Sequence, residues 1–169
     1  MATDTGRQVT LRHDLCPGDL GRVTEFHGVL YASEYGFDHR FEAYVAETLA
    51  EFAHKQRPDR DRLWLAERDG RLVGSVAILG REGDAAQLRW LLVHPDARGA
   101  GLGRRLVDEA LAFSRAAGYT SVFLWTVDIL TPAARLYTAA GFRKTEEKPP
   151  APLWGPPVKE QRYDLDLTR

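Results

Sequence analysis

Apolar positions along this chain alternate between a spacing of two and a spacing of three to four, and the changes of period mark out strands and helices. Val9-Thr10-Leu11-Arg12-His13 alternates and predicts a first strand. Pro17 suits an opening helical turn. Leu20, Val23, His27 and Leu30 or Tyr31 then share one face to about Ala32, and Tyr35-Gly36-Phe37-Asp38 breaks that helix. Phe41, Val45, Leu49 and Phe52 mark a second helix, ended before Pro58. Strands predicted over 63–68 and 72–79 flank Asp69-Gly70, a strong two-residue hairpin signal. The turn Gly80-Arg81-Glu82-Gly83-Asp84 leads into a strand over 87–93, stopped by His94-Pro95, so an antiparallel meander forms.

A helix follows, with Leu102, Leu106 and Phe113 on one face and Gly118 as its C-cap. The next strand, 121–127, should run parallel to 87–93, because a helix joins them. Thr131 as N-cap and Pro132 at the first helical position open a short helix that Gly141 closes. Residues 142–147 and 158–167 read as closing strands. Between them the proline-rich stretch 148–157 is expected to be a stiff, unpaired loop.

The 169 residues suffice for one hydrophobic core. With no repeat or linker, one domain is expected over 9–169, after a disordered polar tail over 1–8. A net charge of −1 gives no electrostatic basis for nucleic-acid binding. Cys16 stands alone, which leaves no intramolecular disulfide and no multi-cysteine metal site; no metal is expected. The opening residues lack the apolar stretch of a signal peptide, and no run approaches membrane-spanning length. The expectation is a soluble, cytoplasmic protein.

Chemistry concentrates at Arg98-Gly99-Ala100-Gly101-Leu102-Gly103, where a strand turns into a helix. Glycines there leave backbone amides unobstructed at a helix N-terminus, which attracts anions. The segment reads as a cradle for phosphate or pyrophosphate. A Walker A loop needs a different glycine spacing and a Lys followed by a hydroxyl residue, and Arg104-Arg105 stands there instead. The Rossmann fingerprint matches at Gly99 and Gly101, and Asp128 imitates its ribose-binding acid, but the third glycine would fall on Arg104.

Arg-x-x-Gly-x-Gly at 98–103 resembles the pyrophosphate loop of the GNAT acyltransferase superfamily. Val93-His94-Pro95 before it, and Ala134-Arg135-Leu136-Tyr137 with Gly141-Phe142 after the next strand, extend the resemblance over nearly the whole chain from about residue 9. Around Tyr35-Gly36-Phe37 and Leu88-Arg89-Trp90 the chain is also similar to the acetyltransferase half of MarR-regulator fusions. The winged-helix half of such fusions is absent, so DNA binding is not carried over. The resemblance implies an α/β (α+β) fold: a mixed, mostly antiparallel central sheet with a splayed parallel strand pair and helices on both faces. It implies acetyl-coenzyme A as cofactor. Cofactor contacts are expected from main-chain donors near Leu91, Leu92 and Val93, from Arg98, Gly99, Ala100, Gly101, Leu102 and Gly103, and from Asp128 and Ala134.

Tyr137 is the candidate general acid, since a phenol with pKa of about 10 can protonate a departing thiolate. Many members of the family carry a Glu on the strand before the loop, but 87–93 holds no carboxylate. Glu34, Asp38, His39, Glu42, Glu82, Asp84 or an ordered water chain remain open as general base. Tyr31, Glu34, Tyr35, Phe37 and Asp38 mix aromatic and acidic groups that suit a cationic amine, and Trp90, Trp125 and Trp154 are further acceptor-site candidates. The expected function is direct acetyl transfer to a primary amine of a small molecule or peptide, and family habit makes a homodimer plausible. The alternative is a non-catalytic acyl-CoA sensor, favoured by the missing strand carboxylate; a nucleotide-dependent enzyme is a third class.

Overall fold

The computed structural model describes residues 8–169; the tail expected over 1–8 lies, apart from Gln8, outside the described residues. Elements follow in the order β1 (Thr10–Arg12), α1 (Asp19–Tyr35), α2 (His39–Lys55), β2 (Arg62–Arg68), β3 (Arg71–Gly80), β4 (Ala85–Val93), a 3-10 turn (Pro95–Ala97), α3 (Leu102–Ala116), β5 (Ser121–Val127), α4 (Thr131–Ala139), β6 (Arg143–Glu147) and β7 (Glu160–Asp166). The seven strands form one sheet in the order β1-β2-β3-β4-β5-β7-β6. Among the described residues only β4 and β5 pair in parallel; the other neighbours are antiparallel. This is the mixed sheet the sequence predicts.

Each sheet face has its own core. On one face Leu102, Leu106, Val107, Ala110 and Leu111 of α3 pack with Val76, Ile78, Val122 and Leu124. On the other, the predicted α2 stripe of Phe41, Val45, Leu49 and Phe52 packs with Val23 of α1 and with Leu63, Leu65 and Ala77. Full burial of one such side chain contributes about 1.5–3 kcal/mol. The Asp69-Gly70 hairpin has φ of +53° and +73°, as a type I′ turn requires.

Three local expectations need correction. Thr131 does not cap α4. Leu130 takes the N-cap position and its carbonyl accepts from Ala134 N at 3.1 Å, so the helix starts one residue earlier and Thr131 is inside it. The stretch 148–157 is not wholly unpaired, because Ala151 and Val158 exchange N–H···O bonds of 2.9 and 3.0 Å. α1 runs past Ala32 to Tyr35, where Gly36 at φ +71° ends it. The proline-rich loop also docks on the α1–α2 connection through Asp38 N donating to Trp154 O at 2.9 Å.

Candidate active site

Strands β4 and β5 are joined only at their starts. The parallel ladder pairs Ala85, Ala86 and Gln87 with Ser121, Val122 and Phe123 and then stops. On its other side β4 is bulged against β3: Leu92 pairs with Ser75 and Arg89 with Ala77, so β4 carries one extra residue there. Trp90 lies in the bulge at φ +50°. A non-glycine residue in that region costs about 1–2 kcal/mol, and the surroundings hold it: the buried Ser75 hydroxyl donates to Trp90 O at 2.7 Å. The extra residue reverses side-chain parity. Ala86 and Leu88 belong to the α3-side core, as do Leu91 and Val93, but Trp90 is turned to the α1/α2 side.

The gap beyond the ladder opens into a cavity of about 140 Å³, lined by β4 from Gln87 to Leu91, by Trp125, Thr126 and Val127 of β5, and by Tyr137 of α4. Its far wall is aromatic, with Tyr31, Phe37, Phe41, Tyr44 and Trp154. Trp154 sits 5.3 Å from Phe37 and 5.0 Å from Phe41 between ring centroids, which fixes the proline-rich loop as part of that wall.

At one end of β4 lies the glycine loop. Gly99 at φ +82° and Gly101 at φ +81° occupy the left-handed region, and a Cβ on either would meet open space. They are therefore needed for chain direction, not for room. Gly101 is the N-cap of α3 and offers no side-chain oxygen to the first-turn N–H groups. Gly103 differs: it has ordinary φ, and a Cβ there would come within 3.1 Å of Leu136 on α4. The Arg98 guanidinium is engaged at the back of the loop, donating to Glu34 Oε1 at 2.6 Å, to Glu34 Oε2 at 2.9 Å and to Val93 O at 3.1 Å.

Of the predicted acceptor residues, Tyr31, Phe37, Trp90, Trp125 and Trp154 line the cavity, whereas Glu34 and Tyr35 do not. Of the predicted cofactor contacts, Leu91 lines it, as does Ala133, the neighbour of the predicted Ala134. The Asp128 carboxylate accepts from Lys159 N at 2.8 Å, tying β5 to the approach of β7. Asp38, His39, Glu42, Glu82 and Asp84 lie outside the lining. Asp38 caps α2 and is paired with Arg40. Glu34 is held below the usual carboxylate range by its hydrogen bonds from Arg98.

Sequence reasoning missed three polar residues on the cavity wall, His27, Thr126 and Glu160. His27 Nδ1 lies 2.8 Å from Val23 O, so that nitrogen carries the proton and Nε2 presents a lone pair. Burial pushes the imidazole pKa down to about 4. Among the described residues, His27 Nε2, Trp90 Nε1 and Thr126 Oγ1 are buried polar atoms without a hydrogen-bond partner, and all three residues line this one cavity. Such groups are costly to leave unsatisfied. Their convergence marks a binding site. Glu160 of β7 is the lining carboxylate, with its Oε2 accepting from Lys148 Nζ at 2.8 Å. Tyr137 is buried, and burial raises its phenol pKa, so the O–H stays protonated across the neutral range.

The chain matches the Acetyltransferase (GNAT) family over residues 29–142. It is 37% identical to an uncharacterized N-acetyltransferase of Schizosaccharomyces pombe over 119 residues, covering 69% of this chain and 72% of that protein. Rat N-acetyltransferase 8B is 38% identical over 98 residues, 54% of this chain, and the match spans only 43% of the rat protein. A structure from Salmonella typhimurium solved with its cofactor acetyl-CoA superposes with a TM-score of 0.72 at 20% identity, covering 94% of each chain.

Proposed function

Because this chain belongs to the GNAT acetyltransferase family, we propose that it is an acetyl-coenzyme A-dependent N-acetyltransferase acting directly on a primary amine. The observation that carries this reading is the early end of the β4/β5 ladder, with a bulge at Trp90 and a cavity that reaches Tyr137. A β4 edge without a β5 partner beyond Gln87 accepts an extended arm as an added strand. Leu91 and Val93 direct main-chain N–H groups to that edge, while the predicted Leu92, in register with Ser75, directs its own to β3; amides from Gly99 to Gly103 receive the pyrophosphate. Ala134 in α4 and Asp128, just after β5, complete the proposed cofactor contacts. Arg98, already bound to Glu34, holds the loop against α1.

Acetyl-coenzyme A supplies an acyl carbon activated as a thioester. The amine lone pair forms the new C–N bond as the C–S bond breaks. Tyr137 donates its proton to the thiolate, and among the described residues no protein hydrogen bond ties up its hydroxyl. His27 Nε2 accepts a hydrogen bond from the incoming amine; at a pKa of about 4 it does not store a proton at neutral pH. The proton that the amine loses as the C–N bond forms passes through water in the cavity and restores the Tyr137 hydroxyl.

Calorimetry with acetyl-coenzyme A, followed by thiol release on an amine panel, tests the reading. Micromolar uptake and thiol release are expected. The lack of a β4 carboxylate and the placement of the predicted bases outside the cavity favour one second reading, a non-catalytic acyl-CoA sensor. Uptake without thiol release on any amine would establish that instead.

A further inference from the structure

Arg89 is the only Arg or Lys among the described residues lining the cavity, and no carboxylate pairs with it. Arg12 is paired with Asp19 and Glu67, Arg98 with Glu34 and Arg162 with Asp164, whereas the partly buried Arg60, Arg62 and Arg68 are held by carbonyls or rings outside the cavity. Arg89 instead donates to the neutral Tyr44 hydroxyl at 2.7 Å, with its Cζ 5.4 Å from the Tyr44 ring and 4.9 Å from the Trp90 ring. One phenol leaves most of the five guanidinium donors free. Burial works against the charge, and Arg81 nearby adds repulsion that Glu51 and Tyr44 offset in part.

A second, independent group points the same way. Trp90 is 8% exposed, yet its indole N–H has no partner among the described residues. The bulge that turns this side chain into the cavity thus brings a second N–H donor beside the guanidinium. The remaining lining supplies acceptors: the His27 Nε2 lone pair, the Thr126 hydroxyl and the Glu160 carboxylate. A lining that combines a positive charge and N–H donors with neutral and acidic acceptors suits a molecule that carries both a carboxylate and an amine. A cavity of about 140 Å³ is close to one that holds a benzene-sized guest.

We infer that the acceptor is a small amino acid, its carboxylate held by Arg89 and the Trp90 indole N–H while its amine faces His27, Thr126 and Tyr137. This assignment rests on the acetyl-transfer reading and names its substrate class. Planar guanidinium matches a carboxylate through paired N–H···O bonds, which an ammonium group cannot reproduce.

The test uses the full chain, acetyl-coenzyme A and matched sets of three acceptors: an amino acid, its primary amide and its decarboxylated amine. The acid should exceed the other two by at least about tenfold in kcat/KM, in line with a charge-assisted pair. Arg89→Met should erase that advantage by raising acceptor KM, leave acetyl-coenzyme A affinity unchanged, and be partly rescued by Arg89→Lys. Equal rates for acid, amide and amine in the native protein, or an acid preference that survives in Arg89→Met, overturn the assignment. So does uptake of acetyl-coenzyme A without turnover of any acid. Failure to take up acetyl-coenzyme A at all is a different result, and it removes the acetyl-transfer reading itself.

Discussion

The two ends of the β4/β5 gap are built from different material. The proposed donor end is made of main chain: a strand edge without a partner and a loop whose glycines hold φ near +80°. The proposed acceptor end is made of side chains from α1, α2, β4, β5, α4 and the proline-rich loop. A main-chain site tolerates almost any side chain so long as the path of the backbone is kept. A side-chain site can be retuned by single substitutions without disturbing the path. Within one fold, the donor end is therefore the constant part and the acceptor end the variable one.

Tyr137 stands where the two ends meet, so its removal tests the comparison most severely. Tyr137→Phe should lower kcat by about 10²-fold or more, the usual range for a lost general acid, while acetyl-coenzyme A affinity changes less than about twofold; thiol-release kinetics and calorimetry read the two separately. A large loss of donor affinity would show that the division into two ends is wrong.

His27 probes the acceptor end through stability. Its pKa falls from 6.5 in the unfolded chain to about 4 when buried. Between those values the unfolded chain binds one more proton than the folded one, so stability falls as pH is lowered from 6.5 towards 4. At about 1.4 kcal/mol per pH unit the loss reaches about 3 kcal/mol. Denaturant titrations across this range should show a steeper fall in the native protein than in His27→Gln, the difference being about 3 kcal/mol at pH 4 on top of the loss from Asp19, Glu34 and Glu67 that both share.

Gly101→Ala acts on the donor end alone. Forcing a Cβ at φ +81° costs about 1–2 kcal/mol, which should weaken acetyl-coenzyme A binding by about tenfold with acceptor KM unaltered. The smallest effect is expected from Glu34→Gln. This partly exposed pair with Arg98 is worth at most about 1 kcal/mol, so donor affinity should fall less than about fivefold. Acceptor selectivity should stay as it was, which would place Glu34 with the donor end despite its position among acceptor-side aromatics.

The backbone of the proposed donor end was legible in the residues. Arg98, Gly99 and Gly101 form a local pattern, and local patterns carry φ preferences and helix starts directly. Of the acceptor end, the aromatics Tyr31, Phe37, Trp90, Trp125 and Trp154 were legible as large side chains in plausible places, and all reach the cavity. Glu34 and Tyr35 were grouped with them because they are neighbours in the chain, yet the helical turn points them elsewhere. His27 looked like one more position on an apolar stripe, which it is. Nothing local distinguishes a satisfied core histidine from one whose second nitrogen faces a cavity.

Amphipathic periods, the Asp69-Gly70 turn and the crossover between 87–93 and 121–127 were sufficient to determine the order of elements and the one parallel pairing, because those features depend on neighbours a few residues apart. The residue at which β4 bulges, Trp90, was decided only in three dimensions. The bulge has no glycine to announce it and depends on Ser75, fifteen residues away in sequence, donating to the Trp90 carbonyl. That extra residue turns Trp90 across the sheet beside an uncompensated Arg89. Charge balance and side-chain facing are properties of the assembled packing, and they become readable only when segments distant in the chain share one cavity.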